Sequence, residues 1–185
     1  KIKNQTACLD ILGKDGVQEL KALAADVKSG DSDNRESSAA RMYFNNYMPS
    51  TTRQEDNTVN AALNYGYAIM RAQMARIISG YGLNGLLGIF HKNEYNQFNL
   101  VDDLMEPFRQ IVDVWVYQNL RNQEYLKYEY RLQLTNLLNA KIKYGKEVCT
   151  VTGAMDKYVK GFIKCIDEKE TSKFFCPVVS SLEME

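Results

Sequence analysis

The chain has 185 residues, of which 45% are hydrophobic and 25% charged. That is enough for one domain with a sizeable core, and too apolar for a disordered segment. The 23 lysines and arginines balance the 23 aspartates and glutamates, which argues against a free-standing basic nucleic-acid-binding module. No apolar run approaches a membrane span and no signal peptide is visible. The four cysteines, Cys8, Cys149, Cys165 and Cys176, form no Cys-x-x-Cys pair, and the chain has one histidine. A zinc site is therefore not expected, and reduced thiols in a cytoplasmic protein are. The opening Lys1-Ile2-Lys3 has no initiating methionine and reads as the start of a C-terminal piece of a longer protein.

In chain order, residues 4 to 28 read as helix, with a break near Gly13-Lys14-Asp15-Gly16. Asp33 or Asn34 is expected to cap a helix running to about Tyr47. Pro49 to Asp56 has no apolar period and reads as a mobile loop. A long helix from about Asn57 to Gly80 is small and apolar almost all round, which suits the middle of a bundle. It carries one polar stripe, Asn60, Asn64, Tyr67 and Arg71, that should face something polar.

Turn chemistry at Gly80–Gly85 and a short apolar entry deliver His91. After a loop, Asn99 is a candidate cap for a helix to about Leu120, kinked at Pro107. Residues 124 to 147 carry a further helical pattern, and Thr152 is expected to cap a last helix, Gly153 to about Glu168. There is no strand signal. The expected class is all-α, a multi-helix bundle over residues 1–168, with residues 169–185 as a poorly ordered tail.

The stretch from His91 to Arg109 holds the single histidine, then Asp102, Asp103 and Glu106, then Arg109. On a helix, Asp103, Glu106 and Arg109 share one face, and Leu104, Phe108, Ile111 and Trp115 form an apolar stripe on its neighbour. Such a helix anchors one side in a core and holds carboxylates and a guanidinium on the other. Hard divalent cations take oxygen ligands and tolerate imidazole, while phosphate takes a guanidinium.

Taken singly, each residue has an ordinary reading. Glu36 is an acid favoured at a helix N-terminus. His91 is a histidine with one hydrogen bond. The acids form a solvated first turn, and Arg109 pairs back to Glu106. The chain contains no phosphate-binding glycine loop, no His-Glu-x-x-His pair and no nucleophile motif. A di-metal carboxylate bundle needs two Glu-x-x-His pairs, which one histidine does not allow.

Three segments together resemble one family. They are Arg35-Glu36-Ser-Ser-Ala-Ala-Arg-Met-Tyr43-Phe44, then Asn60-Ala-Ala-Leu-Asn64-Tyr65-Gly66-Tyr67-Ala68, then Gly88-Ile-Phe-His91 with Asp103-Leu-Met-Glu106-Pro107-Phe108-Arg109. In order and spacing they resemble the CRISPR-associated integrases of spacer acquisition, with a flavour closest to type II systems, over roughly residues 1–145.

The resemblance implies the helical catalytic domain of that family without its N-terminal β domain, and leaves open dimerisation or integration by this piece alone. It implies Mn²⁺ or Mg²⁺ held by Glu36, His91 and Glu106, with Asp103 behind them or as an alternative ligand. Arg109 is implied at the scissile phosphate, and Asn64 and Tyr65 as positioning groups. The implied function is a metal-dependent DNA endonuclease and integrase that inserts protospacer DNA into the CRISPR array. The implied partners are double-stranded DNA (protospacer and repeat), a second copy through the β domain, and a small ferredoxin-like adaptation protein, with no membrane. Arg41, Arg53, Arg71, Arg76, Lys92 and Arg109 are expected on one face. The alternative is a non-catalytic helical interaction module that keeps the same scaffold.

Overall fold

A computed structural model describes residues 1–171 and 174–178, with the backbone alone for Ser29. Eight α-helices dominate the described residues: α1 (Ile2–Ile11), α2 (Val17–Ala25), α3 (Arg35–Tyr47), α4 (Thr58–Gly80), α5 (Asn99–Met105), α6 (Arg109–Leu120), α7 (Tyr128–Asn136) and α8 (Val151–Glu168). The break near Gly13–Gly16 lies where glycine allows it, with Gly13 at φ 62° and Gly16 at φ 87°. All four cysteines are free thiols, and burial pushes that of Cys8 well up. Among the described residues no helix is long and apolar enough to cross a membrane.

α4 is the axis of the bundle, packed against α5, α6, α7 and α8. It is not apolar all round. Val59, Ala62, Leu63, Gly66, Met70, Met74 and Ile78 are buried along one face, while Ala61, Asn64, Ala68 and Ala72 are exposed on the other. Small residues serve two purposes here. Gly66 lets α6 approach, since a Cβ there would lie 2.4 Å from Val112 Cγ1, and the exposed alanines leave room above the polar stripe.

A buried carboxylate joins four helices. Asp113 of α6 is fully buried. Its Oδ2 accepts from Tyr43 of α3 at 2.6 Å, and its Oδ1 accepts a short hydrogen bond from Tyr67 of α4. Its backbone carbonyl accepts from Tyr47 at 2.7 Å, and Cys8 Sγ of α1 lies 3.1 Å from the Tyr43 hydroxyl.

Asn99 is not the cap of α5 but its first residue, its side-chain amide donating to the Leu86 and Asn93 carbonyls, and three further local expectations are corrected. Residues 124–147 are not one helix: after α7 and a tight turn at Leu137–Asn139, a hairpin forms from β1 (Lys141–Tyr144) and β2 (Glu147–Thr150). Tyr144 pairs with Glu147, so the turn is Gly145-Lys146, with Gly145 at φ 63° in the position that two-residue hairpins reserve for glycine. The α8 cap is Thr150, which accepts from Gly153 N at 3.1 Å, and Thr152 instead binds the Leu138 carbonyl at 3.0 Å. The third correction is at α3. Asn34 makes no side-chain cap, and Asp31 accepts from the Arg35 and Glu36 amides at 2.7 and 3.1 Å.

Elsewhere, the loop expected to be mobile at Pro49–Asp56 is tied to α4 through Arg53. The expectation of a poorly ordered tail falls, for residues 172–173 and 179–185, outside the described residues. Between them, Phe174 stacks on Tyr158 with centroids 5.0 Å apart, and the Pro177 carbonyl accepts from Asn4 at 2.8 Å.

Burial raises the Asp113 carboxyl to about 6, against the opposing pull of the Tyr43 and Tyr67 hydroxyls and of Arg109 and Arg53. The folded state therefore binds this proton more tightly than the unfolded chain. Its contribution to stability is complete below about pH 4 and is lost as pH rises through about 6. Urea unfolding of wild type and Asp113→Asn between about pH 4 and 7 should show wild-type stability falling relative to the variant by up to about 3 kcal/mol. Parallel curves would assign the pH dependence to other groups.

Candidate active site

Glu36 sits in the first turn of α3, whose amides Asp31 has already capped, so its own carboxylate is free to point elsewhere. Glu106 opens the tight turn Glu106–Phe108 between α5 and α6. Pro107 lacks the amide that would continue α5, so the expected kink occurs here. The two carboxylates, distant in sequence, converge. Lys1 Nζ stands 3.7 Å from Glu36 Oε2 and 3.8 Å from Glu106 Oε2. An ammonium thus occupies a position between two acids. Glu106 Oε2 is buried and accepts no hydrogen bond, while Oε1 faces Arg109 Nη1 at 3.3 Å.

His91 lies on the wall of the same cavity of about 250 Å³, with Glu36, Glu106 and Asp103. Asp103 holds its loop. Oδ2 accepts from the Ile89 and Phe90 amides at 2.5 and 2.9 Å, and Oδ1 accepts from the His91 amide at 3.2 Å and contacts His91 Nδ1 at 2.6 Å. A carboxylate can only accept, so Nδ1 carries a hydrogen, and in the neutral ring Nε2 is then the nitrogen with the lone pair. With both oxygens committed, Asp103 stands behind the histidine and is not spare as a ligand. A carboxylate in this place fixes the tautomer and raises ligand basicity.

The donor set suits a hard divalent cation: two carboxylates, one with an orphaned buried oxygen, and an imidazole presenting Nε2. As the side chains stand, no three His, Cys, Asp or Glu among the described residues are gathered closely enough to hold a metal ion. Glu36 and Glu106 already point at one position, and His91 is turned toward Asp103.

Glu106 and His91 also border a second cavity, of about 410 Å³, lined by Arg53, Arg71 and Arg109 together with Asn64, Tyr67 and Asp102. Asn64, Tyr67 and Arg71 of the polar stripe of α4 face this space, while Asn60 is buried against the Thr52 and Glu55 carbonyls. Arg109 stacks over the Tyr67 ring at 4.7 Å, and Arg71 pairs with Asp102 at 2.7 Å. Of the six basic residues expected on one face, Arg53, Arg71 and Arg109 line this cavity, and Arg41, Arg76 and Lys92 are exposed outside its lining. Tyr65 is turned away, beside Tyr128 and Arg131, so it does not reach the site. Two contributors were not singled out from sequence. Lys1 lies far away in the chain, and Asp113 acts from behind through Tyr67; an acid inside the apolar run Ile111-Val-Asp-Val-Trp-Val116 was the available signal.

The family model for CRISPR-associated protein Cas1 matches residues 1–143. The chain belongs to the Cas1 family. Among curated Cas1 proteins, the CRISPR-associated endonuclease Cas1 of Neisseria meningitidis serogroup C (strain 8013) is 37% identical over 188 residues, covering 99% of this chain and 62% of that protein. The CRISPR-associated endonuclease Cas1 1 of Francisella tularensis subsp. novicida (strain U112) is 30% identical over 165 residues, covering 77% of this chain and 52% of that one. The chain thus spans 62% and 52% of the length of these two Cas1 relatives.

Two solved structures share the fold. A chain of a Cas6-RT-Cas1–Cas2 complex superposes with a TM-score of 0.73 at 18% identity, over 95% of this chain and 24% of that one. A casposase bound to its integration product superposes with 0.68 at 24% identity, over 100% and 61%. The Cas1 match covers all three motif segments, and the hairpin strand β2 and α8 lie beyond it.

The His91 loop depends on Gly88. A Cβ there would lie 2.1 Å from the His91 carbonyl oxygen and 2.8 Å from Asn99 Cβ. Gly88→Ala should therefore cost roughly 1–3 kcal/mol in urea unfolding and move the imidazole resonances of His91. An unchanged unfolding midpoint with unchanged imidazole shifts would show that the loop is not packed this tightly.

Proposed function

We propose that the chain is the catalytic domain of a metal-dependent DNA endonuclease and integrase that inserts protospacer DNA into the CRISPR array. The observation that carries the reading is the convergence of Glu36 and Glu106 on one cation position beside His91. Family membership supports it, as does the fact that the Neisseria and Francisella relatives are CRISPR-associated endonucleases by name. Glu36 and Glu106 oxygens and His91 Nε2 would hold Mn²⁺ or Mg²⁺, with the Lys1 ammonium giving up the position. When bound, the ion stabilises charge on phosphodiester oxygens as a Lewis acid.

The residues of the chain do the rest. Asp103 would hold the His91 ring by its Nδ1–H, leaving Nε2 as the nitrogen offered to the ion. Arg109, anchored to Glu106 on one side and to the Tyr67 ring on the other, offers guanidinium hydrogens to a non-bridging phosphate oxygen. A protospacer 3′-hydroxyl attacks phosphorus, a new P–O bond forms, and the target strand leaves as a 3′-hydroxyl, so the number of phosphodiesters is conserved. Water as the attacking group gives hydrolysis. The small ferredoxin-like partner, double-stranded DNA and a second copy through a β domain outside this sequence belong to the same proposal.

One observation favours the non-catalytic interaction module: no three ligating side chains stand at metal distance among the described residues. The two readings part on one variant. In a half-site integration assay with the intact protein, its small partner and Mn²⁺, Glu106→Ala should lower strand transfer by at least about 100-fold and leave the circular dichroism spectrum unchanged. Full activity in that variant would favour the module.

A further inference from the structure

Arg53 differs from the other two arginines of the larger cavity. Arg71 and Arg109 each pair with a carboxylate, Asp102 and Glu106. Arg53 is held by neutral amides: its Nη1 donates to Asn60 Oδ1 at 2.6 Å and its Nη2 to Asn64 Oδ1 at 2.7 Å. Among the described residues no carboxylate forms an ion pair with it. The buried Asp113 feels its field from behind Tyr67 without contact.

The clamp is built in depth. Asn60 is only 4% exposed, and its Nδ2 donates to the Thr52 and Glu55 carbonyls at 2.7 and 2.8 Å. That fixes the amide so that only Oδ1 can face Arg53. The guanidinium lies between two rings, 5.7 Å from the Phe44 centroid and 5.8 Å from that of Tyr67. A guanidinium locked in place by neutral acceptors keeps its full charge for an anion and loses little entropy on binding one. Arg71 and Arg109 line the same cavity, and the Nε atom of each is buried and without a hydrogen-bond partner.

We infer that Arg53, fixed by Asn60 and Asn64, is a binding residue for a backbone phosphate of the DNA strand, in the cavity that shares its Glu106–His91 wall with the metal position. The site takes a phosphodiester by charge and geometry and does not read bases. The inference rests on the proposed function for the identity of the strand, but not on the metal centre, because binding is measured with the metal removed.

The test is single-stranded oligonucleotide binding by the intact protein in chelator, followed by fluorescence anisotropy across a salt series. Arg53→Gln should weaken binding to every oligonucleotide sequence alike and reduce the slope of log affinity against log salt by roughly 0.7–1. Arg53→Lys keeps the charge and should keep the slope. A folded Arg53→Gln protein with wild-type affinity and slope would overturn the inference. So would a lysine variant that loses as much slope as the glutamine one, since that result marks Arg53 as a structural clamp of its loop. Reduced slope in Arg53→Gln together with normal strand transfer by Glu106→Ala would leave the phosphate site standing and remove the metal centre. The opposite pair of results would remove the phosphate site alone.

Discussion

The arrangement hangs on one buried carboxylate. Asp113 lies between α3 and α4, with a tyrosine hydroxyl from each on its two oxygens and a third tyrosine on its backbone carbonyl. A charge taken out of water is costly unless its hydrogen bonds are made, and here both donors come from different helices. The same contacts fix the spacing between α3, which carries Glu36, and the α5–α6 junction, which carries Glu106. Burial raises the carboxyl to about 6, a sign that the cost is only partly offset.

From that frame the site divides into two cavities with a shared wall. On one side Glu36 and Glu106 face a cation position, filled by the Lys1 ammonium. On the other, arginines face open space above α4. Glu106 belongs to both, with one oxygen on Arg109 and the other, buried and without a hydrogen bond, on the side of the Lys1 ammonium. In the proposed reaction a phosphodiester and a metal ion need opposite charges within a few ångströms of each other, and a glutamate on the shared wall would supply that proximity. Zero net charge is no obstacle to a local positive field, because among the described residues no carboxylate forms an ion pair with Arg53.

The helical expectations held where periodicity was long and glycine or proline marked the ends. α4, the break at Gly13–Gly16 and the kink at Pro107 are cases of this kind. They failed where a short polar run could be satisfied in two ways. Lys141-Ile-Lys-Tyr continues the spacing of α7, yet the Gly145-Lys146 turn and pairing with Glu147–Thr150 turn it into a strand. The caps behaved alike: Thr150 and Asp31 won over Thr152, Asp33 and Asn34 because cap choice depends on where the chain enters the helix, which side-chain type does not specify.

Sequence by itself determined the helical class and the likeness of the three motif segments to Cas1, since both depend on residue type and local spacing, and it was that likeness that put forward Glu36, His91, Glu106 and Arg109 as candidates. Only the tertiary structure decided that Asp103 is spent on the His91 loop, that Tyr65 faces away, and that Arg41, Arg76 and Lys92 do not line the arginine cavity. It alone showed Lys1 between the two glutamates and Asp113 beneath the site. The physical reason is that a hydrogen bond or an ion pair is settled by where two distant segments meet in space, and the pattern along a single helix carries no record of its partner.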